Sequence, residues 1–113
     1  MNNVFVIGVG LIGGSLCLDL KKIFPEIKIH GIDISEDSLD LAIKLNLIDH
    51  KSGFEALNIA DLVLIATPVD IANNIIIDVL DIINEKTLVI DFGSTKNNIC
   101  DKVIDHKNRR NYL

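Results

Sequence analysis

Apolar residues in this chain fall into short runs that alternate with longer amphipathic segments. A short, nearly continuous apolar run is typical of a strand that is buried on both faces of a parallel sheet. Such runs are residues 4–7, 27–32, 61–66 and 87–92. Residues 47–50 are a weaker candidate for a short edge strand. The amphipathic patterns between them predict helices at about residues 11–24, 36–45, 70–84 and 96–106. Residues 52–58 predict a loop or a single turn.

The segment at 70–84, DIANNIIIDVLDIIN, is rich in β-branched residues and could be taken for a strand. Its length, the preceding Thr67-Pro68 and the spacing of its apolar positions favour a helix. These positions are 71, 75, 79, 82 and 83. Because the helix is apolar around much of its circumference, a partner or a further domain is expected to cover a second side of it.

The alternation of strands and helices predicts an α/β fold, a Rossmann-type doubly wound parallel sheet. We expect the strand order 3-2-1-4-5, with a sixth strand that could begin at Tyr112-Leu113. A chain of 113 residues is long enough for one domain, which would span residues 1–113. Ligands of such sheets bind at the carboxyl ends of the strands, here beside the first and fourth.

Three glycines follow the first strand in the pattern Gly8-x-Gly10-x-x-Gly13. In a dinucleotide-binding fold the first glycine permits a sharp turn, the second lets a pyrophosphate approach the backbone, and the third lets the helix pack on its strand. The start of the helix, with Leu11 and Ile12, offers unpaired N–H groups and the positive end of its dipole to the phosphates. The pattern therefore predicts a dinucleotide site.

An acidic residue, Asp33, ends the second strand twenty positions after Gly13. A carboxylate at this spacing can accept hydrogen bonds from the ribose hydroxyls of the adenosine half. The following residues, 34–37, include Glu36 and Asp37 but no arginine or lysine that could bind a 2′-phosphate. The expected cofactor is therefore NAD rather than NADP. FAD and S-adenosylmethionine remain alternatives, although the first loop of methyltransferases is usually GxGxG, whereas Ile12 fills the last of those positions here.

Two further loops should reach the same crevice, because they also follow strands of the parallel sheet. They are Thr67-Pro68 after the fourth strand and Gly93-Ser94 after the fifth. Ser94 would lie near the nicotinamide end of an extended cofactor, and its hydroxyl could also cap the last helix. The histidines, which are His30, His50 and His106, are not expected in the crevice, so no general base is identified. No metal ligands are predicted.

The composition and charge of the chain limit the kinds of molecule that it is expected to contact. The net charge of −5 argues against nucleic acid, although residues 96–113 hold five basic and two acidic residues. Cys17 and Cys100 form no CxxC pair and are expected to be reduced thiols. The start of the chain lacks a cationic signal sequence, and no apolar run is long enough to span a membrane. A cytoplasmic protein that contacts neither membrane nor nucleic acid is expected.

Four segments together resemble the cofactor domain of the prephenate and arogenate dehydrogenases of tyrosine biosynthesis. These segments are VIGVGLIGGSL, GIDIS, ADLVLIATPV and VIDFGSTK. The pieces GLIGGSL and DxGSxK are the more specific ones, whereas the glycine turn and the A-x-P segment occur in many dehydrogenases that are similar to 6-phosphogluconate dehydrogenase. The resemblance covers nearly all of this chain, but only the first domain of such an enzyme.

The resemblance implies an NAD-dependent oxidoreductase that converts prephenate, or arogenate, by oxidative decarboxylation. It implies cofactor contacts by Gly8, Gly10, Gly13 and Asp33 and by the loops at Thr67-Pro68 and Gly93-Ser94. It also implies that Ser94 lies beside the nicotinamide and a catalytic histidine. The full-length enzyme would be a homodimer.

This sequence departs from the family pattern because the family's catalytic histidine, substrate-binding arginine and helical dimerisation domain would follow residue 113. The 113-residue chain is therefore expected to be inactive alone. Two other interpretations remain open. One is a non-catalytic module that senses NAD and NADH, and the other is a related dehydrogenase acting on another small acid.

Overall fold

The computed structural model describes residues 2–67, 69–92 and 111. These residues form one five-stranded sheet of order β3-β2-β1-β4-β5, and each pair of neighbouring strands is parallel. Helices cover both faces of the sheet. The predicted doubly wound α/β fold and the predicted strand order are therefore confirmed.

Within the described residues, five strands and three α-helices alternate, with one 3₁₀ helix before the fourth strand. The strands are β1 Asn3–Ile7, β2 Lys28–Ile32, β3 His50–Lys51, β4 Leu62–Ile65 and β5 Leu88–Asp91. The α-helices are α1 Leu11–Ile23, α2 Glu36–Lys44 and α3 Val69–Ile82, and the 3₁₀ helix is Phe54–Ile59.

Alternate residues of the central strand β1 supply two separate cores, one on each face of the sheet. Phe5 and Ile7 pack with the 3₁₀ helix and α3, whereas Val4 and Val6 pack with α1 and α2. All four side chains are buried. A strand covered on both faces must be apolar at every position, which is why β1 appears in the sequence as a continuous run.

The edge strand β3 begins later in the chain than the sequence predicted. Residues 47–49 instead pack in the core or connect α2 to β3. Ile48 is buried between the sheet and α2, and Asp49 N–H donates to the Ile29 carbonyl at 2.8 Å before β3 begins. The segment predicted as a loop or single turn contains the 3₁₀ helix, in which Leu57 is fully buried.

This chain itself covers the apolar side chains of α3 over residues 75–82, which is the part of the helix whose side chains are described. Ile76, Val79 and Leu80 are fully buried, and Ile75, Ile77 and Ile82 pack against the same core. This part of α3 therefore needs no partner to cover it. By contrast, two apolar residues at the end of the first predicted helix lie on the surface: Ile23 is 67% exposed and Phe24 is 44% exposed.

Several predictions lie outside the described residues. These are Pro68, the Gly93-Ser94 turn, the last helix with Lys96, Cys100 and His106, and the sixth strand at Tyr112-Leu113. Across the part of the chain that the structure describes, no helix has both the length and the apolar composition needed to cross a membrane.

Candidate nucleotide-binding site

A cleft of about 330 Å³ opens where β1, β2 and β4 end at their carboxyl termini. Four residues predicted from the sequence line it: Gly8, Gly10, Asp33 and Thr67. They come from three separate segments of the chain, and the parallel sheet brings them to one edge. The crevice therefore forms beside the first and fourth strands, where the strand order predicts it.

The turn after β1 requires glycine at two positions for different reasons. Gly8 has φ of 91°, a left-handed conformation that side chains other than glycine rarely adopt. A Cβ atom added to Gly13 would overlap the Gly8 carbonyl oxygen, and it would lie 3.4 Å from the Val6 side chain. The predicted sharp turn and the predicted close packing of α1 on its strand are both confirmed.

The amino terminus of α1 presents backbone donors to open space. A Cβ atom added to Gly10 would meet nothing within 4 Å, so a ligand can approach the backbone there. The helical bond from Gly14 N–H to the Gly10 carbonyl, at 2.8 Å, leaves the amides of Leu11, Ile12 and Gly13 without an intrahelical acceptor. The first turn contains no acidic side chain, so nothing in it repels an anion.

Asp33 connects the glycine turn to the end of β2. One carboxylate oxygen accepts the Val9 N–H at 2.9 Å, and the other accepts the Ser35 N–H at 2.9 Å. Each oxygen has two lone pairs, so both keep the capacity to accept a second hydrogen bond. The carboxylate is thus held in a fixed orientation at the cleft while it can still bind a diol.

Most of the apolar wall of the cleft was not predicted from the sequence. Ile34 is fully exposed, and Phe54 and Ile75 line the cleft with it. An isoleucine directly after the predicted ribose-binding acid was a signal that could have been used. Phe54 and Ile75 gave no such signal, because only the tertiary structure brings the 3₁₀ helix and α3 beside β2.

The first turn of α2, next to the cleft, is acidic as predicted. Ser35 caps this helix by accepting the Ser38 N–H at 3.2 Å, a typical role for a serine directly before a helix. Lys51 lies against this turn, with its Nζ 3.3 Å from Glu36 and 3.0 Å from Asp40. Hydrogen bonds to Asp40 and Glu36 raise the pKa of Lys51. The lysine is therefore already shared between two carboxylates.

Thr67 has an unpaired polar atom at the cleft. Its Oγ1 is buried and makes no hydrogen bond to any of the described residues, and Thr67 lines the cleft beside Gly8. A buried hydroxyl without a partner has a free-energy cost that a bound ligand can relieve. The open approach at Gly10, the free amides of α1, the oriented Asp33 carboxylate and this hydroxyl all fit a dinucleotide.

The two described histidines lie away from the cleft. His30 of β2 stacks on Phe5 at 4.4 Å between ring centroids and on His50 of β3 at 5.2 Å. Burial and the neighbouring His50 lower the pKa of His30. Cys17 is a free buried thiol whose pKa is raised to about 11, mainly by burial. None of the three lines the cleft, and for His30 and His50 this position was predicted.

This sheet, with its glycine turn and the acid at the end of β2, defines a nucleotide-binding domain of the Rossmann type. Residues 16–113 match the family described as "Prephenate dehydrogenase, nucleotide-binding domain". The chain belongs to the prephenate dehydrogenase family, as the sequence motifs indicated.

Two curated relatives support this membership. The chain is 37% identical over 103 residues to prephenate dehydrogenase from Bacillus subtilis (strain 168). It is 33% identical over 101 residues to prephenate dehydrogenase from Lactococcus lactis subsp. cremoris (strain MG1363). Each alignment covers 88% of this chain but only 28% of the relative. The chain thus corresponds to little more than a quarter of either enzyme.

A solved structure shows the same architecture. Prephenate dehydrogenase from A. aeolicus, in complex with hydroxyphenyl propionate and NAD+, superposes with a TM-score of 0.83 at 29% identity. The superposition covers 99% of this chain and 40% of that one.

Proposed function

We propose that this chain binds NAD as the cofactor domain of a prephenate dehydrogenase. The reaction of such an enzyme is the oxidative decarboxylation of prephenate to 4-hydroxyphenylpyruvate in tyrosine biosynthesis. NAD would accept the hydride from the ring carbon that bears the hydroxyl group. This chain's own contribution is to hold and orient the cofactor.

The observation that carries this proposal is the position of Asp33 relative to the glycine turn. The Val9 N–H holds one carboxylate oxygen at 2.9 Å, so the carboxylate stays at the entrance to the turn. A ribose diol on Asp33 would then lie close to a pyrophosphate at the amides of α1, which is the spacing of a dinucleotide. Ile34, Phe54 and Ile75 provide an apolar wall for the base beside that ribose.

Electrostatics at the same position favour NAD over NADP. A 2′-phosphate at Asp33 would face the carboxylates in the first turn of α2, and Lys51 is already paired with two of the acids of this helix. Like charges brought together at a binding site cost several kcal/mol.

Calorimetric titration of the 113-residue chain with NAD and with NADP tests the assignment. We expect NAD to bind at least tenfold more tightly, a difference of about 1.4 kcal/mol. Asp33→Ala should weaken NAD binding and reduce this preference, whereas Asp37→Ala, which removes an exposed carboxylate of the same turn, should leave NAD affinity nearly unchanged.

Circular dichroism of both variants separates lost binding from lost folding, because Asp33 also supports the backbone at Val9 and Ser35. Equal affinity for NAD and NADP in the folded wild-type chain would contradict the assignment. So would unchanged NAD affinity in folded Asp33→Ala.

A further inference from the structure

The apolar wall of the cleft, made of Ile34, Phe54 and Ile75, offers no hydrogen-bonding side chain to a ligand. Ile34 is fully exposed, while Phe54 and Ile75 are half-buried and line the cleft with it. None of these three side chains carries a polar atom. A base that rests on this wall beside the ribose would therefore meet carbon atoms only.

The polar side chains of the cleft lie toward the glycine turn instead. Among the described residues that line the cleft, only Asp33 and Thr67 have polar side chains. Asp33 accepts the Val9 N–H of the turn at 2.9 Å. Thr67 lies across β1 from Asp33, where its Cγ2 atom would be 3.0 Å from a Cβ atom added to Gly8, and its Oγ1 atom is buried. Both side chains are therefore placed to meet the ribose and the pyrophosphate rather than the base.

The apolar wall also lies at the surface of the chain. Because Ile34 is fully exposed, a base that rests on it would keep its outer edge in water. Purines differ from one another in the groups on that edge, such as the 6-amino group of adenine and the 6-oxo group of hypoxanthine. Water can accept a hydrogen bond from the first group and donate one to the second, so exchanging them there costs little.

We propose that this cleft binds the base of its dinucleotide without distinguishing one purine from another. Dinucleotides that carry hypoxanthine or guanine in place of adenine would then bind about as tightly as NAD. This inference rests on the proposed function and deepens it, because it names the class of cofactor that the same site accepts. The ribose on Asp33 and the pyrophosphate at α1 provide the specific contacts, and the base provides apolar contact.

The physical reason is that apolar contact and hydrogen bonding discriminate to different degrees. Apolar burial has no direction and depends on the area removed from water, which differs little among purines. The ring of Phe54 can add stacking, which tolerates any base because every base has a π-face. A site that hydrogen-bonds a particular group rejects an analogue without that group by roughly 10⁴-fold, whereas an apolar pocket discriminates far less.

Calorimetric titration of the 113-residue chain with three dinucleotides tests this proposal. They are NAD, nicotinamide hypoxanthine dinucleotide and nicotinamide guanine dinucleotide, which differ in the base alone. We expect the three dissociation constants to agree within about fivefold, because no side chain of the wall reads the edge of the base. A hypoxanthine or guanine dinucleotide that binds more weakly than NAD by a larger factor would overturn the proposal.

The substitution Ile34→Ala tests whether the base rests on the apolar wall. It should weaken the binding of all three dinucleotides by the same factor, about three- to tenfold, because it removes apolar area that any purine would cover. Its circular dichroism spectrum should match that of the wild type, since Ile34 is fully exposed. Ile23→Ala is the matched control, because Ile23 is 67% exposed at the other end of α1 and does not line the cleft. It should leave the three affinities unchanged.

Two results with Ile34→Ala would overturn the proposal. A loss confined to NAD would show that the wall selects adenine, and unchanged affinity for all three dinucleotides would show that the base does not rest there. The proposed function fails separately from this inference. If NAD binds and the other two dinucleotides do not, only the inference is wrong, whereas a folded chain that binds none of the three contradicts the proposed function as well.

Discussion

Gly10 and Gly13 lie three residues apart in the same motif, but the structure assigns them different physical tasks. A side chain at Gly13 would collide with the backbone of the preceding turn, whereas a side chain at Gly10 would project into open space. We therefore expect Gly13 to be required for folding and Gly10 to be required for the close approach of a ligand to the backbone. These are the separate tasks that the motif predicts for its second and third glycines.

Substitution by alanine should distinguish the two glycines. Gly13→Ala should lower the free energy of unfolding in urea, because the collision outweighs the gain of about 1 kcal/mol in helix propensity. Gly10→Ala should unfold at nearly the wild-type urea concentration but bind NAD at least tenfold more weakly, a loss of about 1.4 kcal/mol. A stable Gly13→Ala chain, or a Gly10→Ala chain with full NAD affinity, would contradict this division of roles.

At the scale of elements, the two-residue strand β3 depends on a row of stacked rings for part of its contact with β2. Phe5, His30 and His50 occupy matching positions on three neighbouring strands. Burial and then His50 lower the pKa of His30, Asp49 acts in the opposite direction, and Lys28 adds to the lowering. The folded chain therefore favours neutral His30.

The stability of the chain should consequently fall as the pH drops below about 6.5, the ordinary pKa of histidine. Between that pH and the lowered pKa of His30, the unfolded chain binds more protons than the folded chain, so the free energy of unfolding increases with pH. Urea denaturation between pH 5 and 7.5 measures this slope. His30→Gln should reduce the slope; an identical slope in that variant would show that His30 does not contribute.

Asp49 and Asp61, whose pKa values are lowered, act in a different pH range, so they do not obscure this measurement. Hydrogen bonds from Asn3 and Asn2 N–H lower the pKa of Asp61. Burial raises the pKa of Asp49, but the Ile29 N–H and Lys21 outweigh it and leave that pKa lowered. Stability from both groups is present above about pH 4 and is lost only as the pH falls further.

For the whole molecule, the relatives indicate how much of an enzyme this chain represents. It spans 28% of the curated prephenate dehydrogenases that it matches. Neither described histidine lines the cleft, and the resemblance places the family's catalytic histidine and substrate-binding arginine beyond residue 113. We therefore expect the 113-residue chain to bind NAD without oxidising prephenate.

NADH absorbance during incubation with prephenate and NAD measures this directly. The control for cofactor binding uses the same sample. NAD at about 100 times its dissociation constant should raise the free energy of unfolding by about 2.7 kcal/mol. Stabilisation without NADH formation is the expected result. Turnover above the rate of a Gly10→Ala sample would show that the chain is active alone.

The sequence by itself determined the order of elements, the strand order and the residues of the glycine turn. It could do so because β4 and residues 4–7 of β1 are apolar at every position and because the glycines are needed for local conformation. The same local logic predicted the position of Asp33 at the end of β2.

Only the tertiary structure decided which distant segments meet. It brought Phe54 and Ile75 into the wall of the cleft, gave both oxygens of Asp33 a backbone partner, and left Ile34 exposed at the cleft. Each of these depends on packing between elements far apart in the chain, and a local pattern of apolar and polar residues does not encode such packing. The start of β3 was misplaced for the same reason, since Ile48 is buried by a contact between α2 and the sheet.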